Sequence, residues 1–229
     1  MERFEYGTKD AAFVLLQMVD EHDLASIEEE TALIQESTGA DFRLIACRVH
    51  DWNTELSPWE APAVFGRQDF GSGAKDTLQA IIPLCEDRTK SYCIGGYSLA
   101  GLFALWAAGQ TDIFRGTAAA SPSVWFPGFT DYLAGQALKS RDVYLSLGDK
   151  EEKTKNPVMA TVADRIRDTY ALLTEQGVNC TLEWNPGNHF RDSALRTAKA
   201  YSWVLKQWME EDATVKPMTP AHAVSDNDN

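Results

Sequence analysis

Apolar residues fall into six short runs along the chain: Phe13–Val19, Phe42–Val49, Ser91–Gly96, Gly116–Ala120, Val143–Leu147 and Cys180–Trp184. In several of them consecutive positions are apolar, which suits strands covered by helices on both faces. The longer stretches between them carry helical spacing and predict helices over roughly Leu24–Ser37, Ala74–Cys85, Leu99–Gly109, Phe129–Leu138, Pro157–Gln176 and Arg191–Glu211. Alternating strand and helix means a parallel sheet with right-handed crossovers. The expected architecture is therefore α/β, a mostly parallel sheet of about six strands flanked by helices.

Local signals mark several boundaries. Gly39 and Gly177 stand where helices should stop, and Pro157 can occupy a first helical turn with Asn156 as its cap. In the last helix Ala194, Ala198, Tyr201, Leu205 and Trp208 recur at steps of three and four, a core-packing stripe. One domain is expected over residues 1–211, with 212–229 a polar, Pro-containing tail in which His222 is inert. The connection His50–Gly73 is long and aromatic, with Trp52, Trp59, Phe65 and Phe70. Such a loop either packs on itself or borders a pocket, and both are expected here.

Composition narrows the classes of partner. The 229-residue chain is 44% hydrophobic and 24% charged, as in a globular domain. No apolar run reaches the ~18 residues of a bilayer span. The N-terminus lacks the basic-then-apolar order of a signal peptide, so a cytoplasmic location is expected. The net charge of −13 works against nucleic-acid and anionic-membrane partners. The acidic runs Glu28–Glu30 and Glu210–Asp212 read as a solvated helix face and a tail. Cys47, Cys85, Cys93 and Cys180 form no C-x-x-C pair and read as free thiols; His22, His50, His189 and His222 have no helical zinc spacing. Neither a metal nor a cofactor is expected, and nothing in the pattern sets an oligomeric state.

The candidate chemistry lies in SYCIGGYSLAGLFALWAAG, residues 91–109. A strand-like run ends in Gly95-Gly96, and Tyr97-Ser98-Leu99 leads straight into an Ala- and Leu-rich helix. Ser98 is then a nucleophile at a tight strand-to-helix elbow, flanked by the small residues Gly96 and Ala100. The helix beginning at Leu99 offers its N–H to an oxyanion. Alone, the pattern fits an ordinary helix cap equally well. The order of the later strand ends adds weight. The fifth run ends in Gly148-Asp149-Lys150-Glu151-Glu152, placing carboxylates after a strand, and the sixth ends in Asn185-Pro186-Gly187-Asn188-His189. Nucleophile, acid and histidine thus come after successive strands, at the sheet edge where such folds bind ligands. Histidine suits the base, and a carboxylate orients its ring. Asp149, Glu151 and Glu152 are all candidates for that carboxylate.

Through GGYSLAG, ASPSVWF, LSLGDKE and GNHF, residues 91–208 resemble the α/β-hydrolase esterase family of ferric-enterobactin-type esterases, feruloyl esterases, S-formylglutathione hydrolases and mycolyltransferases. The resemblance implies an α/β-hydrolase fold with reduced N-terminal strands. It implies Glu151, three residues after Gly148, as the acid of a Ser98–His189–Glu151 triad. It also implies a second oxyanion donor in the loop after the first parallel strand, at Asp20, Glu21 or His22. Tyr97, Trp52, Trp59 and Trp125 are the pocket candidates. The function implied is hydrolysis of a small-molecule acyl ester through an acyl-enzyme. An acyltransferase, thioesterase or amidase would use the same triad, and a hydrolase-like domain that binds without turnover is the alternative of another class.

Overall fold

The structure, a computed structural model, describes residues 1–215. Each of the six apolar runs lies in a strand: β2 (Phe13–Val19), β3 (Phe42–Arg48), β4 (Ser91–Tyr97), β5 (Phe114–Ala120), β6 (Asp142–Gly148) and β7 (Asn179–Asn185). They form one sheet with β1 (Glu2–Gly7), in the order β1-β3-β2-β4-β5-β6-β7. β2 through β7 are parallel, and β1 pairs antiparallel with β3 at the edge. The α/β reading holds, with this seventh strand as an addition. β1 is the charged segment ERFEYG, in which only Phe4 and Tyr6 turn toward the core. Charges on the remaining positions suit an edge strand and hide its period of two.

Eight α-helices cover the sheet among the described residues. α1 (Glu21–Leu24), α2 (Ile27–Thr38), α3 (Trp52–Glu55) and α4 (Ala74–Ile81) precede β4; α5 (Leu99–Gln110) and α6 (Phe129–Ala134) flank β5; α7 (Val162–Glu175) and α8 (Ser193–Val215) flank β7. α2 and α8 pack on one face, where Ile34, Tyr201 and Trp208 meet Leu15, Leu44 and Ala118. α4 to α7 pack on the other, where Ile81, Phe103, Leu133 and Ile166 meet Leu16, Ile94 and Leu145. α5 is buried all round from Leu99 to Gly109, so it is apolar without a polar face.

Local signals are realised with small shifts. Gly39 ends α2 at φ 61° and Gly177 follows α7 at φ 78°. The helix anticipated from Pro157 begins as a 3-10 turn at Met159, yet Asn156 Oδ1 still accepts the N–H groups of Val158 and Met159. α8 continues through Val215, past the expected end at Glu211; from residue 216 onward the tail, His222 included, lies outside the described residues. Among the described residues no helix is long and apolar enough to cross a membrane. All four cysteines are unpaired.

Candidate active site

At the carboxyl end of β4 the chain reverses through Ser98, whose φ 58° and ψ −120° are unusual for a residue with a side chain. Two small neighbours permit the turn. A Cβ on Gly96, at φ +155°, would meet the Cβ of Ala100 at 2.6 Å. The backbone holds the strain: Ser98 N–H donates to Ala120 O at 3.1 Å, and Ser98 O accepts from Leu102 and Ser123 N–H. Ser98 Oγ is thereby fixed at the mouth of the sheet, 3.2 Å from Ser123 Oγ.

His189 stands four residues beyond β7 and meets Ser98 from above. Its Nε2 is 2.9 Å from Ser98 Oγ and its Nδ1 is 2.7 Å from Glu151 Oε2. The loop that carries it is stitched to the loop after β6. Gly187 N–H donates to Asp149 Oδ1 at 2.7 Å, and Lys150 N–H donates to Gly187 O at 3.1 Å. A side chain on Gly148 would strike Gly187 O, so glycine there lets the two loops close.

Of the carboxylates left open by the sequence, Glu151 contacts His189, Asp149 caps the histidine loop, and Glu152 is exposed. Glu151 Oε1 accepts from Gly148 N–H at 2.7 Å, Ser121 Oγ at 2.8 Å and Arg196 Nη1 at 2.9 Å. Burial pushes its pKa up, but the hydrogen bond and charge of His189, with the Gly148 and Ser121 donors, outweigh it and hold the pKa below the ordinary value.

A cleft of about 460 Å³ opens at Ser98 and His189, lined also by Asp20, His22, Asp23, Trp52, Tyr97, Phe190 and Ser193. Burial, then the adjacent Asp20, raises the Asp23 carboxyl to about 6. Leu99 N–H heads α5 beside Ser98. The second-donor candidates separate. Asp20 N–H is turned to Asp23 Oδ2 at 3.3 Å in a reciprocal cap, Asp23 N–H donating back at 2.8 Å, which removes Asp20 as a free donor. Glu21 and His22 carry the first N–H groups of α1, which have no intrahelical partner; His22 borders the cleft, while the Glu21 carboxylate pairs with Arg48.

The pocket candidates also separate. Tyr97 and Trp52 line the cleft, but Trp59 and Trp125 do not. Trp59 donates Nε1–H to Pro127 O at 2.9 Å and packs edge-on against Phe126. Trp125 is buried against Phe65 and Phe70. The long loop therefore docks Trp59 on the segment after β5, which itself carries Trp125, and contributes Trp52 to the cleft.

Four residues of the site's support escaped the sequence reading. Ser121 and Ser123 resemble an ordinary Ser-Pro turn, although Ser121 adopts φ 42° beside the acid. Phe190, largely exposed, gains meaning only from its place at the cleft. Arg196 had a signal: it shares a register of four with Ala200 and Val204, both fully buried, so a charged side chain falls on an apolar face.

A mostly parallel sheet with a strained serine between a central strand and its helix is the α/β-hydrolase fold. In sequence, no protein-family model and no curated protein matches the chain. In structure it is similar to an IroE-like serine hydrolase from Shewanella oneidensis, with TM-score 0.72 and 14% identity over 90% of this chain and 76% of that one. It is also similar to the siderophore hydrolase EstA from Aspergillus nidulans, with TM-score 0.58 and 20% identity over 89% and 84%. The enterobactin esterase FES from Shigella flexneri, solved with enterobactin, gives TM-score 0.62 and 14% identity over 90% of this chain, which spans 55% of that one. These likenesses establish the fold that the esterase-type resemblance implied.

Proposed function

We propose that the protein is a serine hydrolase that cleaves small-molecule carboxylic esters through an acyl-enzyme. The observation that carries this reading is the chain of contacts from Ser98 Oγ to His189 Nε2 at 2.9 Å and from His189 Nδ1 to Glu151 Oε2 at 2.7 Å, at the floor of an open cleft. Ser98 Oγ attacks the acyl carbon as neutral His189 takes its proton. The Glu151 carboxylate holds the ring and stabilises the imidazolium. The N–H groups of Leu99 and His22 receive the negative charge that develops on the acyl oxygen. The imidazolium then protonates the leaving alcohol, and water, activated by the same histidine, releases the acid. The fold neighbours bear the names serine hydrolase, siderophore hydrolase and esterase, which supports ester chemistry on this fold. Four unpaired cysteines suit a reducing compartment such as the cytoplasm.

A fluorophosphonate probe and a panel of p-nitrophenyl esters of increasing acyl length test the reading together. The wild type should be labelled at Ser98 and turn over the short esters, and Ser98→Ala and His189→Ala should lose both. A folded wild type that neither labels nor hydrolyses any ester would leave a binding domain in its place.

A further inference from the structure

We infer that Arg196 is the positioning residue of this site, orienting the triad carboxylate and restraining how strongly it draws a proton onto His189; this rests on the hydrolase reading above. The guanidinium is 1% exposed and enters from the first turn of α8, behind Glu151. Nη1 donates to Glu151 Oε1 at 2.9 Å and to Tyr97 Oη at 3.0 Å, with Ser121 Oγ at 3.3 Å. Nη2 donates to Pro186 O at 3.0 Å, at the root of the histidine loop. Tyr97 Oη in turn donates to His189 O at 2.7 Å. One planar fork therefore reaches the acid, the start of the histidine loop and, through Tyr97, the histidine backbone.

Charge and geometry give this arrangement two consequences. By occupying Oε1, Arg196 leaves Oε2 as the oxygen that meets His189 Nδ1. Its positive charge also offsets part of the Glu151 charge that would otherwise stabilise imidazolium. The other charged neighbours do not compete for this role. Asp149 is committed to Gly187 N–H, and Arg191 pairs with Asp192 at 3.2 Å on the surface. Asp20, His22 and Asp23 line the cleft with His189 and share no hydrogen bond with Arg196, whose partners are Tyr97, Ser121, Glu151 and Pro186.

The test compares Arg196→Met, which keeps length and removes charge, with Arg196→Lys, which keeps charge and loses the fork. Both are checked for folding by circular dichroism. The readouts are kcat and KM on p-nitrophenyl acetate and the NMR titration of the His189 imidazole, which needs no turnover. Arg196→Met should lose about tenfold in kcat with KM within about twofold. Its imidazole midpoint should rise by about half to one pH unit. Arg196→Lys should return the midpoint to the wild-type value while kcat stays lowered. A folded Arg196→Met with wild-type kcat and midpoint overturns the inference, as does a lysine variant whose midpoint moves as far as that of the methionine variant. If Arg196→Met does not fold, the lysine variant decides: lowered kcat at unchanged KM and midpoint supports the role, and unchanged kcat overturns it. Absence of Ser98-dependent turnover in the wild type would sink the hydrolase reading alone, and the NMR midpoints would still judge Arg196.

Discussion

Tyr97 donates its hydroxyl to the backbone carbonyl of His189 at 2.7 Å, so the strand that leads into Ser98 also holds His189. The two rings lie 5.1 Å apart, and Tyr97 is mostly buried beneath the imidazole. Tyr97→Phe keeps this packing and removes only the tether. We expect kcat to fall by roughly three- to tenfold with little change in KM, and stability to drop by about 1 kcal/mol. Steady-state kinetics and a thermal melt check this. An unchanged kcat would mean that Glu151 alone positions the ring.

Strain at Ser98 separates activity from stability. Ser98→Ala and Ser98→Gly both remove Oγ, so both should abolish turnover. Only glycine relaxes at φ 58°. Ser98→Gly should therefore be more stable than Ser98→Ala by about 1–2 kcal/mol, read from urea denaturation. Equal stabilities would show that the elbow is not strained.

Glu151 carries a stability role as well as its proposed catalytic one. Its carboxylate and Arg196 form a pair with side chains 4% and 1% exposed. Glu151→Ala leaves a buried guanidinium without its counter-charge and should cost about 3–5 kcal/mol. Glu151→Gln keeps an acceptor for Gly148 N–H and should cost less. In the native protein the carboxyl sits below the ordinary 4.5. Its contribution is therefore full above 4.5 and is lost as pH falls through the native value. Urea midpoints of the wild type should drop between pH 5 and pH 3 more steeply than those of Glu151→Gln; parallel curves would remove this group from acid unfolding.

Glu30 predicts the opposite sign. It is buried in α2, its Oε2 accepting from Gln17 Nε2 at 3.3 Å while its Oε1 has no partner. Burial raises its carboxyl from 4.5 to about 8. The native state then keeps a proton that the unfolded chain releases, so stability declines as pH rises from about 4.5 toward 8. Glu30→Gln should relieve this decline, gaining about 1.4 kcal/mol over the wild type for each pH unit within that window. Denaturation at pH 6 and pH 8 measures it, and an equal effect of the substitution at both would refute a buried neutral Glu30.

The architecture was legible because it rests on local pattern. Six apolar runs and the helical spacing between them mark the parallel strands and most of the helices, with boundaries moved by a few residues where a 3-10 turn or a cap intervened. β1 was hidden because an edge strand has one dry face and needs few apolar residues. Ser98 and His189 were legible for a different reason. Each belongs to a strand end, and strand ends of a parallel sheet gather at one edge whatever the packing above them.

Choosing among nearby polar groups was beyond any local pattern. Asp149, Glu151 and Glu152 are neighbours in sequence, but only the approach of the β7 loop gives one to His189 and another to Gly187. Trp52, Trp59 and Trp125 are alike in composition, and the docking of the long loop on the segment after β5 sends Trp52 to the cleft and packs Trp59 and Trp125 against the core. Asp20 lost its free N–H to a cap that closes only when α1 forms. The chain by itself determined the sheet, its hand and the two residues that meet at its edge, because periodicity and strand order are properties of the sequence. Tertiary structure alone decided which acid faces the histidine, which aromatics meet the cleft and that Arg196 stands behind Glu151, because these depend on distances between side chains far apart in the chain, 99 residues for Arg196 and Tyr97.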